Sequence, residues 1–183
     1  MSAIRNNEDL CAFLNQGGAV KYIYFWGHTR PRDGSVNQTC FSQWYQESFQ
    51  VDGVEYSTAE HFMMAEKARL FDDEGALAKI LSANHPGEAK NEGRGVRNFD
   101  EARWLENRFD IVVRGNLAKF EQNEALRNYL LGTGERVLVE ASPVDRIWGI
   151  GMAKDDPDIE SPSLWRGLNL LGYALMEVRA RLI

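Results

Sequence analysis

The sequence predicts an α+β fold, mainly helical, in which the helices pack around a small β-sheet. Segments with the apolar periodicity of helices fill most of the chain, and few segments show the alternation typical of strands. The strands are also too few and too short for a doubly wound α/β sheet. Because the 183 residues are 44% hydrophobic and contain no linker or low-complexity tract, we expect residues 1–183 to form a single domain.

The N-terminal part of the chain predicts a helix, a strand and a long loop. Asn7 is expected to cap a helix that extends to Asn15, and Val20–Trp26 has the β-branched and aromatic content of a strand. Gly27–Thr39 is rich in Gly, Pro, Asp and Asn, which predicts a loop. Arg30 and Arg32 in this loop would either meet an anion or face solvent.

The segment Phe49–Phe71 predicts a hairpin that leads directly into a helix. Its Asp52-Gly53 dipeptide is the sequence that most favours a type I′ turn. In the helix that follows, positions 60, 64, 67 and 71 lie on one face, over about 16 Å of axis. Glu60 and Lys67 therefore share a largely apolar face.

Each of these two charged residues has a structural and a functional interpretation. Glu60 follows Ser57 by three positions, as in a capping box, so it would either stabilise the helix start or act in chemistry. Lys67 would either extend from a buried stem to solvent or act as a nucleophile.

The rest of the chain predicts mostly helices. Lys90–Arg97 places glycines among cations, including Arg94, a composition suited to binding phosphate. The other predicted elements are a helix at Glu74–Ala83, a helix from Pro86 to about Gly93, a long amphipathic helix capped by Asp100, a helix from Asn123 to Gly132, a strand at Arg136–Ala141 and a C-terminal helix after Gly172.

The loop Ser142–Gly151 holds a carboxylate and an aromatic side chain in close succession. Asp145 and Trp148 are three residues apart, so a charge and a stacking surface would lie together, and Trp104 would supply a second surface. The structural alternative is that these tryptophans belong to the core, as tryptophans more often do.

Composition and missing motifs exclude several functional classes. The net charge of −6 gives no overall positive field for holding nucleic acid. With two cysteines and three histidines at unrelated spacings, we expect neither disulfides nor a metal site, and no cofactor. The sequence lacks the motifs of serine hydrolases, P-loop proteins, dinucleotide-binding folds and zinc proteases. No signal peptide or membrane-spanning run is apparent, so we expect a cytoplasmic protein.

From about residue 22 to residue 181 the sequence resembles the NADAR family, which includes the YbiA-like N-glycosidases. The resemblance is carried by Tyr56 to Phe62 with Lys67, the Gly93-Arg94 turn, Trp104, Leu117 to Phe120, Asp145 to Gly149, and Asn169 to Gly172. It implies an α+β, metal-free hydrolase that cleaves the bond between ribose C1′ and an exocyclic base amine. It also implies catalytic roles for Glu60, Lys67 and Asp145, and substrate contacts from His28, Arg30, Arg94, Trp104, Lys119, Trp148, Gly149 and Asn169.

The known substrates of the family suggest which chemistry to expect. They are ADP-ribose attached to guanine in nucleic acid and two ribosylamino intermediates of riboflavin synthesis. We expect ADP-ribosylated guanine in DNA or RNA as the substrate, with an ADP-ribosyltransferase toxin as a possible counterpart and the riboflavin intermediates as the alternative. Lys67 would form a Schiff base with the opened sugar, or a carboxylate would promote direct hydrolysis. A non-catalytic ADP-ribose-binding module is a further alternative.

Overall fold

The computed structural model describes residues 4–183 and confirms an α+β fold made mostly of helices. The longest helix has 22 residues, and no helix among the described residues is both long and apolar enough to cross a membrane. The helices are α1 (Asn7–Asn15), α2 (Ala59–Leu70), α3 (Glu74–Ser82), α4 (Pro86–Arg94), α5 (Glu101–Gln122), α6 (Glu124–Gly132) and α7 (Leu170–Arg181). The strands are β1 (Tyr22–Phe25), β2 (Phe49–Val51), β3 (Val54–Tyr56) and β4 (Val137–Glu140).

The chain divides into two compact units. The first comprises the described residues up to Ser42 together with Ala125–Ile183, and the second comprises Gln43–Glu124. Within residues 4–183, four strands form two sheets of two strands each, one sheet in each unit, where the sequence predicted one small sheet. The expectation of a single domain stays a prediction.

The first unit is built on a parallel pair of strands, β1 and β4. Tyr22 lies opposite Val137, and Phe25 lies opposite Glu140. Both strands are four residues long, and Val137, Leu138 and Val139 of β4 are almost completely buried, as expected for a parallel strand that is covered on both faces. The core on this sheet consists of Leu10, Val137, Val139, Ala141, Ile150, Met152, Ile159 and Trp165.

The second unit joins the β2–β3 hairpin to helices α2 to α5. Asp52 and Gly53 have φ angles of 52° and 77°, so both turn residues occupy the left-handed region that a type I′ turn requires. The predicted turn is therefore confirmed. Asp100 caps α5, as predicted, by accepting a hydrogen bond from the backbone N–H of Arg103 at 2.7 Å.

Two helix caps differ from the sequence prediction by one residue. Asn6 caps α1 in place of Asn7, and its side chain accepts from the N–H of Asp9. Thr58 caps α2 in place of Ser57 and accepts from the N–H of His61. In both cases two adjacent residues can cap a helix, and the residue with extended backbone angles becomes the cap.

Close contact between α5 and α2 depends on Gly115. A Cβ at this position would lie 2.4 Å from Cδ1 of Phe62. Phe62 is buried, with only 1% of its surface exposed. The ring is rigid, and its neighbours leave it no space to move. Gly115 thus lets α5 approach the first turns of α2.

Replacing Gly115 with alanine should destabilise the second unit by about 1–2 kcal/mol. Overpacking typically costs about 1–3 kcal/mol, and the higher helix propensity of alanine returns up to about 1 kcal/mol. Chemical denaturation measures the change. Gly132→Ala is the matched control, because a Cβ at that helical glycine meets nothing within 4 Å. Equal stability of the two variants would contradict the packing argument.

Candidate active site

Glu60 is a buried carboxylate at the start of α2, with 3% of its surface exposed. Because Thr58 is the cap, Glu60 is the second residue of the helix and His61 holds the third position, where a capping-box glutamate would lie. The capping box with Ser57 is therefore wrong. The Glu60 backbone N–H donates to the carbonyl of Gln43 at 2.9 Å, and the positive end of the α2 dipole favours a negative charge here.

His61 fixes the start of α2. Its Nε2 lies 3.1 Å from the carbonyl of Ala83, which only accepts, so Nε2 carries the proton. Its Nδ1 then accepts from the Thr58 hydroxyl at 2.8 Å. Burial lowers the pKa of His61, which keeps the ring neutral. The ring therefore positions the turn that carries Glu60 against the end of α3.

Lys67 lies between two aromatic rings. Its Nζ is 4.6 Å from the ring centre of Phe99 and 5.5 Å from that of Trp104. Partial burial lowers the pKa of Lys67, and the nearby charge of Arg94 lowers it further. A larger share of this amine is therefore neutral at a given pH, as a nucleophilic lysine requires.

Glu60 and Lys67 lie on the same face of α2, as the helical spacing predicted. Lys67 follows Glu60 by seven positions, which is about 10 Å along the axis. Between them on this face lies Met64, which is 6% exposed. At this spacing the two side chains can contact different atoms of one substrate.

Phe99 belongs to this group of residues, although no sequence motif indicated it. It is 47% exposed, and its ring centre lies 5.3 Å from that of Phe71. The preceding residue, Asn98, has a φ of 56°. The signal in the sequence was weak, because one aromatic residue ahead of the Asp100 cap also fits a helix start.

The loop that carries Phe99 is anchored by Asp73. Its buried carboxylate accepts from the Arg97 backbone N–H at 2.8 Å and from the Arg97 guanidinium at 2.9 Å. The same carboxylate caps α3 through the N–H of Ala76. The hydrogen bonds from Arg97 hold the pKa of Asp73 well below its usual range. Phe99 is therefore presented to Lys67 from a fixed loop.

Replacing Arg94 with methionine should raise the pKa of Lys67, because a repelling positive charge is removed. Labelling with an amine-reactive reagent at several pH values, with peptide mass spectrometry, measures this pKa directly. Only the neutral amine reacts with such a reagent, so the labelling rate of Lys67 rises with pH. In the variant this rise should occur at a higher pH than in the wild type.

Lys90→Met is the matched control, because Lys90 lies on the same helix with its Nζ 5.8 Å from the ring centre of Trp44. The control should leave the pKa of Lys67 unchanged. An equal shift in both variants would contradict a specific effect of Arg94.

Lys119, a predicted substrate contact, is completely buried in the second unit. Its Nζ lies 5.4 Å from the ring centre of Tyr45 and 5.3 Å from that of Phe120. The amine of Lys119 therefore packs against aromatic rings in the interior of the second unit. A contact with substrate stays a prediction for this residue.

In the first unit, Asp145 shapes the loop that it belongs to. Its Oδ1 accepts from the backbone N–H groups of Ile147 and Trp148, each at 2.8 Å. Gly149 permits a tight turn here, since a Cβ would lie 2.9 Å from the Glu140 carbonyl oxygen. Asp145 and Trp148 are both half-buried. The carboxylate of Asp145 is therefore held against the backbone of Trp148, and a pocket wall shared with the indole stays a prediction.

Asn169 links this loop to β4. It is completely buried, with left-handed φ and ψ of 52° and 34°. Its side chain accepts from the N–H of Glu140 at 3.0 Å and donates to the carbonyl of Leu138 at 2.9 Å, while its backbone N–H donates to Gly149. These bonds give Asn169 a positioning role; its contact with substrate stays a prediction.

The predicted site residues are thus divided between the two units. Glu60, Lys67, Arg94, Trp104 and Lys119 lie in the second unit, and Asp145, Trp148, Gly149 and Asn169 lie in the first, together with the exposed His28 and Arg30 of the loop after β1. Within residues 4–183, no three His, Cys, Asp or Glu side chains are grouped so that they could hold a metal ion.

Comparison with known proteins identifies the family. A family model described as the NADAR domain matches residues 24–183, which include parts of both units. The chain belongs to the NADAR family. The family resemblance seen in the sequence is therefore confirmed.

Several NADAR relatives are named N-glycosidases. N-glycosidase R617 of Acanthamoeba polyphaga mimivirus is 42% identical over 164 residues, which cover 87% of this chain and 95% of that protein. N-glycosidase YbiA of Escherichia coli (strain K12) is 32% identical over 142 residues, covering 78% of this chain and 80% of that protein. Protein irg-1 of Caenorhabditis elegans is 35% identical over 158 residues, covering 78% and 74%.

The fold of this NADAR chain is similar to a solved structure. The NMR structure of Escherichia coli YbiA aligns with a TM-score of 0.70 and 30% sequence identity. The alignment covers 88% of this chain and 84% of YbiA.

Proposed function

We propose that this protein is an N-glycosidase that removes ADP-ribose from guanine by breaking the bond between ribose C1′ and the exocyclic amine of the base. The observation that carries the proposal is Lys67, an amine of lowered pKa held between Phe99 and Trp104 on the same helix face as the buried Glu60. Relatives named N-glycosidases support the reaction class.

Lys67 acts on the open form of the sugar. A ribose joined to an exocyclic amine opens to an imine at C1′, and the neutral Nζ of Lys67 adds to that carbon. The bond from C1′ to the base nitrogen then breaks, and the base leaves as its free amine after taking a proton. A Schiff base between Lys67 and C1′ remains, and water converts it to the free sugar and the free lysine.

Glu60 transfers protons in this reaction. It accepts the proton that Nζ of Lys67 loses after adding to C1′, passes that proton to the departing base nitrogen, and later accepts a proton from the water that attacks C1′. Its place in the first turn of α2 stabilises the charged carboxylate, and its burial strengthens its interaction with a nearby substrate charge. The alternative in which a carboxylate promotes direct hydrolysis uses the same residue and does not need Lys67.

Exposed cations support a substrate with a diphosphate. Arg94 is exposed and close enough to Lys67 to change its pKa, so an anion at Arg94 would lie near the reacting carbon. Phe99 and Trp104 offer flat surfaces on which a base can stack. The second candidate is a ribosylaminopyrimidine phosphate, and the net charge of −6 favours this smaller substrate over nucleic acid.

Turnover of both substrate classes tests the proposal. The protein is incubated with an oligonucleotide that carries ADP-ribosylated guanine and, separately, with ribosylaminopyrimidine phosphates, and the released base is quantified by mass spectrometry. Faster release from the oligonucleotide supports the proposal, and faster release from the pyrimidines supports the second candidate. Tight binding of ADP-ribose without release from either substrate would instead indicate a binding module.

A further inference from the structure

Gln43 and Asn116 form a buried pair of amides in the second unit. They are 7% and 0% exposed. Nδ2 of Asn116 donates to Oε1 of Gln43 at 2.7 Å and to the carbonyl of Val112 at 2.9 Å. Within the described part of the chain, residues 4–183, Nε2 of Gln43 and Oδ1 of Asn116 have no hydrogen-bond partner.

The orientation of both amides follows from Val112. A carbonyl oxygen only accepts, so Asn116 must direct its Nδ2 toward Val112, and Gln43 must then direct its oxygen toward that same Nδ2. Turning both amides over would still leave one donor and one acceptor unused. Buried polar groups of folded proteins are nearly always satisfied, so this unused pair indicates a bound polar group.

The pair lies beside the start of α2. The backbone carbonyl of Gln43 accepts the N–H of Glu60 at 2.9 Å. Gly115, the neighbour of Asn116, brings α5 against Phe62, two residues after Glu60. The unused donor and acceptor thus belong to the same buried region as the candidate acid–base residue.

We propose that Gln43 and Asn116 bind a hydroxyl group beside Glu60, either the hydrolytic water or a hydroxyl of the ribose. A hydroxyl group accepts from Nε2 of Gln43 and donates to Oδ1 of Asn116, which satisfies both atoms. If the group is water, its oxygen adds to C1′ of the Schiff base while its proton passes to Glu60. This inference rests on the proposed N-glycosidase function and adds two residues to its site.

Replacing Gln43 with methionine tests the inference. The change removes the side-chain donor, together with the acceptor for Asn116, and keeps both the chain length and the backbone carbonyl that holds Glu60. Loss of a bound water should lower kcat about tenfold, the value of one hydrogen bond, without changing KM. Borohydride should then trap more Schiff base than in the wild type. Loss of a ribose contact should raise KM about tenfold, with no extra trapping.

Two further variants make the test specific. Gln122→Met is the control, because Gln122 is also in the second unit but uses its amide on the backbone of Gln50 in the hairpin, and this variant should keep wild-type kinetics. Gln43→Glu keeps the acceptor for Asn116 and donates only when protonated. Its deficit relative to the wild type should therefore shrink as the pH falls, and this variant serves as the test if Gln43→Met does not fold.

Wild-type kcat and KM in folded Gln43→Met, with only the melting temperature changed, would overturn the hydroxyl-binding proposal. The N-glycosidase proposal would then still stand. If the wild-type protein itself releases no base from any N-ribosyl amine, the proposed function fails first, so the two failures are distinguishable.

Discussion

Replacing Glu60 with glutamine should reduce the rate of base release by about 10²–10⁴-fold, the usual contribution of a general acid or base. Glutamine has the same shape but neither gives nor takes the proton. The lost interaction with the helix dipole alone should lower the free energy of unfolding by up to about 1 kcal/mol. Steady-state kinetics and thermal unfolding, measured on the same preparation, check both values.

Glu66→Gln is the control for this experiment. Glu66 lies on the same helix but pairs with the guanidinium groups of Arg69 and Arg114. Losing these partly exposed ion pairs should cost up to about 1 kcal/mol of stability and leave base release unchanged. Near-normal turnover and reduced stability in the Glu60→Gln protein would show that Glu60 has only a structural role.

Replacing Lys67 with methionine should abolish the adduct that borohydride traps between enzyme and sugar, and base release should fall to background. Methionine fills the space between Phe99 and Trp104 but has no amine. Intact-protein mass spectrometry after reduction in the presence of substrate should show one added sugar on the wild type, at the peptide that contains Lys67, and none on the variant.

Lys67→Arg separates the effect of charge from that of the nucleophile. Arginine keeps a positive charge near both rings, but it is always protonated and cannot form the Schiff base. We therefore expect it to be as inactive as the methionine variant. An arginine variant that releases base at the wild-type rate would exclude the covalent route and favour direct hydrolysis with Glu60.

Much of the local structure was predictable because it depends on neighbouring residues. The turn at Asp52-Gly53 and the cap at Asp100 are set by residues a few positions apart. Choosing between Ser57 and Thr58 as the cap was not possible by residue type, since both can cap a helix. That one-residue difference removed the capping-box explanation of Glu60.

Features that join distant parts of the chain were not predictable from pattern. The sequence indicated strands near Tyr22 and Val137, but nothing in it showed that they pair in parallel. The amide pair of Gln43 and Asn116 was missed for the same reason, because neither residue belongs to a recognisable motif. Gln43 lies in a turn and Asn116 lies on α5, 73 positions along the chain, so only the folded chain brings the two amides together.

The candidate site was predicted in part by spacing and in part by family resemblance. Spacing alone placed Glu60 and Lys67 on one helix face, and the structure adds the burial of Glu60 and the lowered pKa of Lys67. The reaction class came from the resemblance, because no local motif specifies cleavage of an N-glycosidic bond. Phe99 was missed because its position depends on the Asp73–Arg97 anchor.

Release of ADP-ribose from an oligonucleotide carrying ADP-ribosylated guanine, compared between the wild-type protein and Glu60→Gln, tests whether this protein is an N-glycosidase that uses Glu60. We expect the wild type to return unmodified guanine in the oligonucleotide together with free ADP-ribose, and the variant to do so about 10²–10⁴-fold more slowly. The same slow release from both proteins, at the rate of the reaction without enzyme, would contradict this expectation.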